Sequence, residues 1–212
     1  IYEKLITQDK VDAILGPYSS PITEEVANVS EKHRMPMVTP NASTTSIFRK
    51  GRKFVFMVTS AAEVYLEGLI DIAAKRGLKT VAVINEDTLF PKASAQGAVE
   101  LAKSKGLQVV LAEAYPKGTT DFTPLLRKVA AAKPDVVAAA TYFDDAVAIT
   151  RGLKALDINP TLFGVTVGVR RVELQPALDA VGLVLGVRAS LGPLLVGQSV
   201  QQLGRRCACR RS

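Results

Sequence analysis

Short apolar runs rich in β-branched residues alternate with helix-length amphipathic segments from the first residue to about residue 168. Seven runs are predicted to be strands: 11–15, 37–39, 54–59, 80–84, 108–112, 135–140 and 161–165. Five segments between them are predicted to be helices: 22–33, 63–76, 92–105, 122–132 and 144–155. Most of the strand candidates are continuously apolar, as in strands buried on both faces of a parallel sheet. The alternation therefore predicts an α/β fold built on doubly wound parallel sheets.

The ends of these segments carry residues typical of helix termini. Ser20 precedes Pro21, which predicts an N-cap followed by proline at the first helical position. Gly77 and Gly106 each follow a turn rich in Lys and Arg, which suits the left-handed residue after a helix. Residues 1–10 carry several charges and no capping residue precedes them, so we interpret them as a helix entered partway, inside a domain.

The order of the units predicts two lobes. Residues 53–59 are interpreted as a crossover between an earlier and a later set of βα units. Residues 1–59 are therefore predicted to form part of a first lobe together with this crossover, and residues 60–168 a second lobe. Each lobe is predicted to be a doubly wound parallel sheet.

The last segment, residues 169–212, has a different composition. It contains no Lys, Tyr or Phe, and it carries seven Arg against two acidic residues. Residues 1–168 carry 20 Lys and Arg against 18 Asp and Glu, so most of the net charge of +7 belongs to this tail. That distribution argues against a nucleic-acid-binding surface on the lobes. We interpret the tail as sequence read out of frame, with the change of frame near Gly168.

Several classes of function lack their signatures in the sequence. No apolar run reaches the roughly 18–20 residues of a membrane helix, so no membrane insertion is predicted. The glycine-rich phosphate loop that a nucleotide-dependent enzyme requires is missing, as is a nucleophile elbow. His33 is the only histidine, and Cys207 and Cys209 have no further ligands nearby. We therefore predict no catalytic residue, no metal site and no cofactor.

Two loops rich in hydroxyl groups follow predicted strands. Residues 16–20 lead into the helix that begins at Pro21, and they offer two Ser hydroxyls beside the free N–H groups of a helix N-terminus. Residues 39–46 contain six short polar side chains in eight positions. Loops at strand ends of an open α/β sheet are typical ligand sites, and this pair favours a small anion or zwitterion. The alternative is that Ser20 only caps its helix and residues 39–46 form a polar surface turn.

The order of these motifs resembles one protein family. Residues 9–20 (DKVDAILGPYSS) and 35–43 (MPMVTPNAS) are similar to the central first-lobe signature of type I periplasmic solute-binding proteins of the branched-chain amino acid ABC transporter family. Residues 54–60 resemble the first crossover of that family, and residues 118–122 and 134–137 resemble elements of its second lobe. The resemblance covers about residues 1–168. It implies the type I periplasmic binding protein fold, incomplete in this chain.

The resemblance also implies which residues hold a ligand. In the family the two hydroxyl loops bind the ligand's α-carboxylate and amino group, and aromatic residues of the second lobe close over it. The matching first-lobe positions are Ser19, Ser20, Ala42 through its backbone, Ser43 and Thr44. The matching second-lobe positions are Phe90 and either Tyr142 or Phe143. Where the family often has an acidic residue for the amino group, this chain has VTV at 165–167, which leaves room for aromatic or aliphatic carboxylates, or amides.

The resemblance therefore implies a ligand-binding protein and not an enzyme. It implies the substrate-binding component of an ABC transporter, with a small solute as ligand and the transporter's membrane permease as partner. The solute would be a branched-chain or other hydrophobic amino acid, or an aromatic or aliphatic acid. The implied location is the periplasm, or the outer cell surface by a lipid anchor. A ligand-sensing domain of a receptor or regulator with the same fold is the alternative.

Overall fold

The computed structural model describes residues 1–167, and within them seven strands form two parallel sheets. The predicted α/β class and the parallel direction of the strands are confirmed. The tail at residues 169–212 lies outside the described residues, so its predicted change of frame stays a prediction. None of the helices in residues 1–167 combines the length and the apolar character needed to cross a membrane.

The first sheet has three strands in the order β1-β2-β3. Its elements are α1 (Tyr2–Thr7), β1 (Ile14–Leu15), α2 (Ser20–His33), β2 (Met37–Thr39), a 3-10 turn (Thr45–Ile47) and β3 (Val55–Met57). Ile14, Met37 and Val55 of the three strands pack against Val26 and Ala27 of α2 to form the first core. Because β1 and β2 pair in parallel, the loops that leave them lie side by side at one edge of the sheet.

The second sheet has four strands in the order β5-β4-β6-β7. Its elements are α3 (Glu67–Lys75), β4 (Thr80–Glu86), α4 (Leu89–Ser104), β5 (Gln108–Tyr115), α5 (Thr123–Ala132), β6 (Val136–Ala140), α6 (Phe143–Ala155) and β7 (Leu162–Val165). Val81 and Val83 of β4 belong to a core that α3 and α4 cover, whereas Ala82 and Ile84 belong to a second core under α5 and α6. β6 and residues 81–84 of β4 are continuously apolar because both of their faces are buried, whereas the edge strand β5 is partly exposed.

The strand order of the second sheet reverses between β4 and β6. The chain leaves β4 toward β5 on one side, and then returns to place β6 on the other side of β4. Connections that run in opposite directions open a crevice outside the carboxyl ends of the two strands, which is where open α/β sheets bind ligands. The loops that begin after Glu86 and after Ala140 border this crevice.

Six of the seven strands differ in length from the sequence prediction. Those predicted at 54–59, 135–140 and 161–165 are shorter, at Val55–Met57, Val136–Ala140 and Leu162–Val165. The strand predicted at 11–15 contains only Ile14 and Leu15, because its partner β2 is preceded by Pro36, which has no N–H with which to extend the ladder. The strands predicted at 80–84 and 108–112 continue to residues 86 and 115. Pairing of Asn85 and Glu86 with the end of β5 extends them, although polar residues end the apolar pattern there.

The helix predicted at 63–76 is wrong as a single element. The structure has a 3-10 turn at Ala62–Val64 and then α3 from Glu67. Between them Leu66 leaves helical geometry and its buried side chain joins the core under α3. The turn itself packs against α4, where a Cβ at Gly97 would lie 1.9 Å from the carbonyl oxygen of Glu63. Because the backbone at Glu63 packs against α4, the chain forms a 3-10 turn where the sequence predicted the first turn of a helix.

Residues 58–66 connect the two sheets, since β3 pairs in the first sheet and α3 covers the second. The predicted lobe boundary between residues 59 and 60 falls in this segment, and as a division into domains it stays a prediction. The Ala62 N–H donates to the carbonyl of Ser43 at 2.8 Å, and the Thr45 hydroxyl donates to Glu63 Oε1 at 2.6 Å. These two contacts tie the connection to the loop after β2.

Candidate functional site

A cavity of about 220 Å³ lies where loops from both sheets meet. Its lining residues are Tyr18, Ser19, Ser20, Asn41, Tyr65, Phe90, Tyr142, Thr166 and Val167. They follow the carboxyl ends of β1, β2, β3, β4, β6 and β7. The cavity therefore occupies the edge at which parallel α/β sheets hold their ligands, and each sheet contributes one side of it.

Ser20 lines the cavity on the side of the first sheet. Its side chain is 2% exposed, and its hydroxyl is buried without a hydrogen bond to any described residue. The N-cap of α2 is Ser19, and no side chain caps this helix. The alternative in which Ser20 caps the helix is therefore wrong, because Ser20 is already the first helical residue and its hydroxyl bonds to nothing there.

The start of α2 adds unpaired backbone donors to that hydroxyl. The first N–H groups of a helix have no partner inside the helix, and the helix dipole places partial positive charge there. Pro21 supplies no N–H, so the backbone donors at this helix start are those of its neighbours Ser20 and Ile22. Gly16 allows the loop to approach β2, since a Cβ at that position would lie 2.8 Å from Thr39 Cγ2. This arrangement suits a small anion.

Three aromatic rings form the opposite side of the cavity. The ring of Phe90 contacts Tyr65 edge to face, with 5.3 Å between centroids, and it contacts Tyr142 in a tilted arrangement at 5.6 Å. Phe90 follows β4 and Tyr142 follows β6, so this ring contact spans the crevice at the point of strand reversal. Ring contacts of this kind hold the side chains in place and present an apolar wall.

The Tyr142 hydroxyl is a polar group within this apolar wall. It is buried and has no hydrogen-bond partner within 3.5 Å, although the Thr88 hydroxyl, which donates to Glu86 Oε1, lies near enough to act against the rise in the Tyr142 pKa. Burial, and then the negative charge of Glu86, raises the pKa of Tyr142 to about 12. The phenol therefore stays protonated at neutral pH and can both donate and accept a hydrogen bond.

Thr166 fixes the loop that carries Tyr142. Its hydroxyl accepts a hydrogen bond from the Thr141 N–H at 2.9 Å and donates to the Thr141 carbonyl at 2.7 Å. The Thr166 hydroxyl is thereby occupied, and its role in the cavity is to hold the end of β7 against the end of β6. Tyr142 directly follows Thr141 in the chain, so these two hydrogen bonds fix the backbone from which its side chain extends.

Carboxylates near the cavity have partners of their own. The Thr88 hydroxyl donates to Glu86 Oε1 at 2.6 Å, and burial raises the pKa of the Glu86 carboxyl above its ordinary value. The Tyr115 hydroxyl donates to Asp145 Oδ2 at 3.0 Å, and burial followed by the charge of Asp145 raises the pKa of Tyr115. Neither Glu86 nor Asp145 lines the cavity, so its described lining carries no formal charge.

The structure brings together half of the residues that the sequence singled out. Ser19, Ser20, Phe90 and Tyr142 line the cavity. Ala42, Ser43, Thr44 and Phe143 do not line it. Ser43 and Thr44 are buried with unpaired hydroxyls beside the connection between the sheets, and Phe143 is 39% exposed at the start of α6. A ligand-binding role for these eight residues stays a prediction.

Five lining residues were not among the predicted site residues. Tyr18 and Asn41 belong to the two hydroxyl loops, and Thr166 and Val167 follow β7, so their positions at strand ends are a signal that would have found them. Tyr65 lies eight residues after β3, inside the segment predicted to be a helix. Its position depends on how the connection docks on α4, for which the sequence contains no local signal.

A larger groove of about 390 Å³ lies at the opposite edge of the second sheet. It is bordered by the amino ends of β6 and β7. Its Asp135 carboxylate already accepts hydrogen bonds from the N–H groups of Lys79 and Thr80 at 2.8 and 2.9 Å. The Asp135 carboxylate in this groove is thus already bonded, whereas the smaller cavity has the unpaired hydroxyls of Ser20 and Tyr142. Within residues 1–167 no group of three His, Cys, Asp or Glu side chains is placed to hold a metal ion.

Comparison with known proteins gives a family for this arrangement. The family model described as "Periplasmic binding protein" matches residues 1–192, a range that extends beyond Gly168. "Leu/Ile/Val-binding protein homolog 8" of Brucella abortus is 27% identical over 189 residues, covering 84% of this chain and 46% of that protein. The chain spans about half the length of the curated relatives it matches.

Two solved structures have a similar fold. A leucine binding protein from Thermotoga maritima gives a TM-score of 0.72 at 22% identity, over 84% of this chain and 51% of that one. A solute binding protein of an ABC transporter from R. palustris, in complex with 4-hydroxybenzoate, gives a TM-score of 0.67 at 23% identity, over 77% and 45%. At such identities the likeness concerns the fold alone.

Proposed function

This chain belongs to the periplasmic binding protein family, and from that premise we propose that it binds a small carboxylate-bearing solute in the cavity between its two sheets. The family is one of binding proteins rather than enzymes. The observation that carries the proposal is the Ser20 hydroxyl, which is buried and unpaired beside the start of α2.

The charge and shape of the cavity support a carboxylate. A buried hydroxyl without a partner costs about 1–3 kcal/mol, which a ligand that accepts its hydrogen bond would recover. Free N–H groups and the positive end of the α2 dipole favour a negative charge at the same place. The rings of Tyr65, Phe90 and Tyr142 suit an apolar body attached to that carboxylate.

A ligand in this cavity would bind both lobes at once. Ser20 belongs to the first sheet, and Phe90 and Tyr142 belong to the second, so contacts to both sides favour a closed arrangement. The ligand's differential contacts are what drive a hinge movement of this kind. Residues 58–66 are the connection about which such a movement would occur.

The proposed biological role is that of the substrate-binding component of an ABC transporter. The closed form would deliver the solute to the transporter's membrane permease. Support comes from the family and from two neighbours, one called a leucine binding protein and one in complex with 4-hydroxybenzoate. Both of those ligands join a carboxylate to an apolar body, as the cavity requires.

The proposal is tested by calorimetric titration of the chain with small carboxylic acids and their methyl esters. Each ester keeps the apolar body and loses the charge, so it is a matched control for the site at α2. We expect acids to bind and their esters to bind at least about tenfold more weakly, since hydrogen bonds to a charged group contribute about 1.5–3 kcal/mol. Equal affinity for acid and ester, or binding of neither, contradicts the proposal.

A further inference from the structure

We infer that the cavity selects aromatic carboxylates that lack an α-ammonium group over amino acids. The inference rests on the proposed function, because it assumes that the carboxylate lies at Ser20 and the start of α2. It adds the chemical class of the rest of the ligand.

The described lining offers donors to a negative group but no counter-charge to a positive one. Ser20 and the N–H groups at the start of α2 are donors for a carboxylate. A buried ammonium group is stabilised most by a carboxylate, and the described lining contains no Asp or Glu. Its acceptors are neutral: the Asn41 amide oxygen and hydroxyls such as those of Tyr18 and Ser19. Thr166, at the end of β7, already uses its hydroxyl on the backbone of Thr141. A buried ammonium would thus be left without a counter-charge, which is costly.

The wall opposite Ser20 is matched to a flat ring. Phe90 contacts both Tyr65 and Tyr142, and the three residues come from the connection between the sheets, the first turn of α4 and the start of α6. Aromatic pairs prefer edge-to-face or offset contact, so a fourth ring can extend the same pattern into the cavity. A cavity of about 220 Å³ also lies below the roughly 300–1,000 Å³ of sites for drug-sized ligands. The ligand is therefore small, with one ring and one carboxylate.

The Tyr142 hydroxyl adds a polar contact on the ring side. It is buried without a partner within a wall that is otherwise apolar. A hydroxyl or other small polar substituent on the ligand's ring, remote from its carboxylate, would satisfy it. Ser20 and Tyr142 belong to opposite sides of the cavity, so the two polar ends of such a ligand would bind different lobes.

The test uses two matched pairs of ligands. 3-Phenylpropanoate and phenylalanine share one skeleton, as do 4-methylpentanoate and leucine, and within each pair only the amino acid carries the ammonium group. We expect each acid to bind the full chain about tenfold or more tightly than its amino acid, because the ammonium lacks a counter-charge. We expect 3-phenylpropanoate to bind about fivefold more tightly than 4-methylpentanoate, because of the ring contacts.

The outcomes separate this inference from the proposed function. If the amino acids bind as tightly as the acids, the inference is overturned and the proposed function stands. The ammonium group would then be held by the ring faces or by another group. A preference for the aliphatic acid overturns the aromatic part. Binding of none of the four compounds overturns the proposed function and the inference together.

A variant tests the ring wall directly. Phe90→Leu should reduce the preference for 3-phenylpropanoate over 4-methylpentanoate to about onefold to twofold, because the central ring of the wall is lost. Phe122→Leu is the matched control, since Phe122 is also buried edge to face against a tyrosine, Tyr115, but lies in the core under α5. A preference that survives Phe90→Leu, or that falls equally in Phe122→Leu, contradicts a role for the wall in selection.

Discussion

The hydroxyls of Ser20 and Tyr142 are buried on opposite sides of one cavity, and neither has a partner in the described residues. An unpaired buried hydroxyl lowers stability by about 1–3 kcal/mol, so folding alone gives no reason for either group. The hydroxyls of Ser43, Thr44 and Ser94 also lack a partner but do not line the cavity, whereas other buried hydroxyls of the described residues are bonded. The Thr150 hydroxyl, for example, donates to the Ala146 carbonyl at 2.7 Å. Unpaired groups at a cavity are therefore a signal of binding that can be read from contacts alone.

Replacing Tyr142 by Phe tests this signal on the ring side. We expect Tyr142→Phe to leave the free energy of unfolding unchanged or to raise it by about 1 kcal/mol, because a buried unpaired hydroxyl is removed. The same change should weaken binding of 4-hydroxybenzoate relative to benzoate. Urea denaturation and calorimetric titration measure the two effects.

Tyr115→Phe is the control for that variant. The Tyr115 hydroxyl donates to Asp145 Oδ2 at 3.0 Å, so its removal leaves a carboxylate without a donor and should lower stability. If Tyr142→Phe destabilised the protein as much as Tyr115→Phe does, the Tyr142 hydroxyl would have a structural partner, contrary to our interpretation.

At the scale of single residues, the sequence predicted which residues lie past strand ends better than it predicted which of them line the cavity. Ser19 and Ser20 were found because their loop follows a predicted strand, whereas Phe90 and Tyr142 were found from their positions in the family that the sequence resembles, both past the ends of predicted strands. The same rule did not separate Tyr142 from Phe143, because adjacent residues at a helix start point in different directions. Tyr65 was missed because its place depends on tertiary contact with α4.

The contact between α4 and the connection of the two sheets depends on one glycine. A Cβ at Gly97 would lie 1.9 Å from the Glu63 carbonyl oxygen, a backbone atom that cannot move aside as a side chain can. We expect Gly97→Ala to lower the free energy of unfolding by about 1–3 kcal/mol despite the better helix propensity of Ala. Chemical denaturation measures the change.

Gly68→Ala is the matched control, because Gly68 lies in α3 with no atom within 4 Å of an added Cβ. It should raise stability by about 0.5–1 kcal/mol, the usual gain of Ala over Gly inside a helix. A neutral Gly97→Ala variant would mean that the turn at Ala62–Val64 is not held against α4 as the structure has it.

Asp135 joins the amino ends of β4 and β6. Its carboxylate accepts hydrogen bonds from the N–H groups of Lys79 and Thr80 and from the Thr80 hydroxyl, and these bonds hold the pKa of Asp135 below its ordinary value of 3.8. We expect Asp135→Ala to lower stability by about 1–2 kcal/mol at neutral pH. Exposed Asp12, replaced by Ala, serves as the control.

The pH dependence of this effect has a defined sign. Because the folded-state pKa is lowered, the contribution of Asp135 is fully present above the ordinary pKa of 3.8 and is lost as the pH falls through the folded-state value. The stability difference between the protein and Asp135→Ala should therefore shrink as the pH is lowered below that range. A difference that stays constant or grows on acidification contradicts the assignment.

At the scale of elements, the apolar pattern predicted all seven strands and five of the six α-helices within residues 1–167. The errors lie at the ends of these elements and in the segment 63–76, which is split in two. Gly77 and Gly106 do adopt positive φ, at 73° and 78°, as the sequence of the helix ends predicted. The split of the segment 63–76 could not be predicted, since Glu63 and Val64 fit a helix pattern well. Packing of the turn on Gly97 decides its structure, and that contact joins residues distant in sequence.

The two sheets together form the site, so a ligand should affect both of them. Residues 16–20 and the loop at Tyr142 lie on different sheets and border the same cavity. We expect a saturating aromatic acid to slow amide hydrogen exchange in both segments, because the ligand stabilises local structure that it contacts on each side. Peptides from the groove at Asp135 and Asn159 serve as internal controls. Protection of one segment alone would mean that the ligand binds a single lobe.

The central claim is that the Ser20 hydroxyl is kept for a ligand, and Ser20→Ala tests it most directly. Titration with 3-phenylpropanoate and urea denaturation without ligand are measured on the same variant. Exposed Ser104, about 21 Å along α4 from Phe90, supplies the control Ser104→Ala. We expect about tenfold weaker binding with unchanged or higher stability, because the lost hydroxyl served only the carboxylate. Unchanged affinity with stability lowered by about 1 kcal/mol, the behaviour of a helix cap, would contradict it.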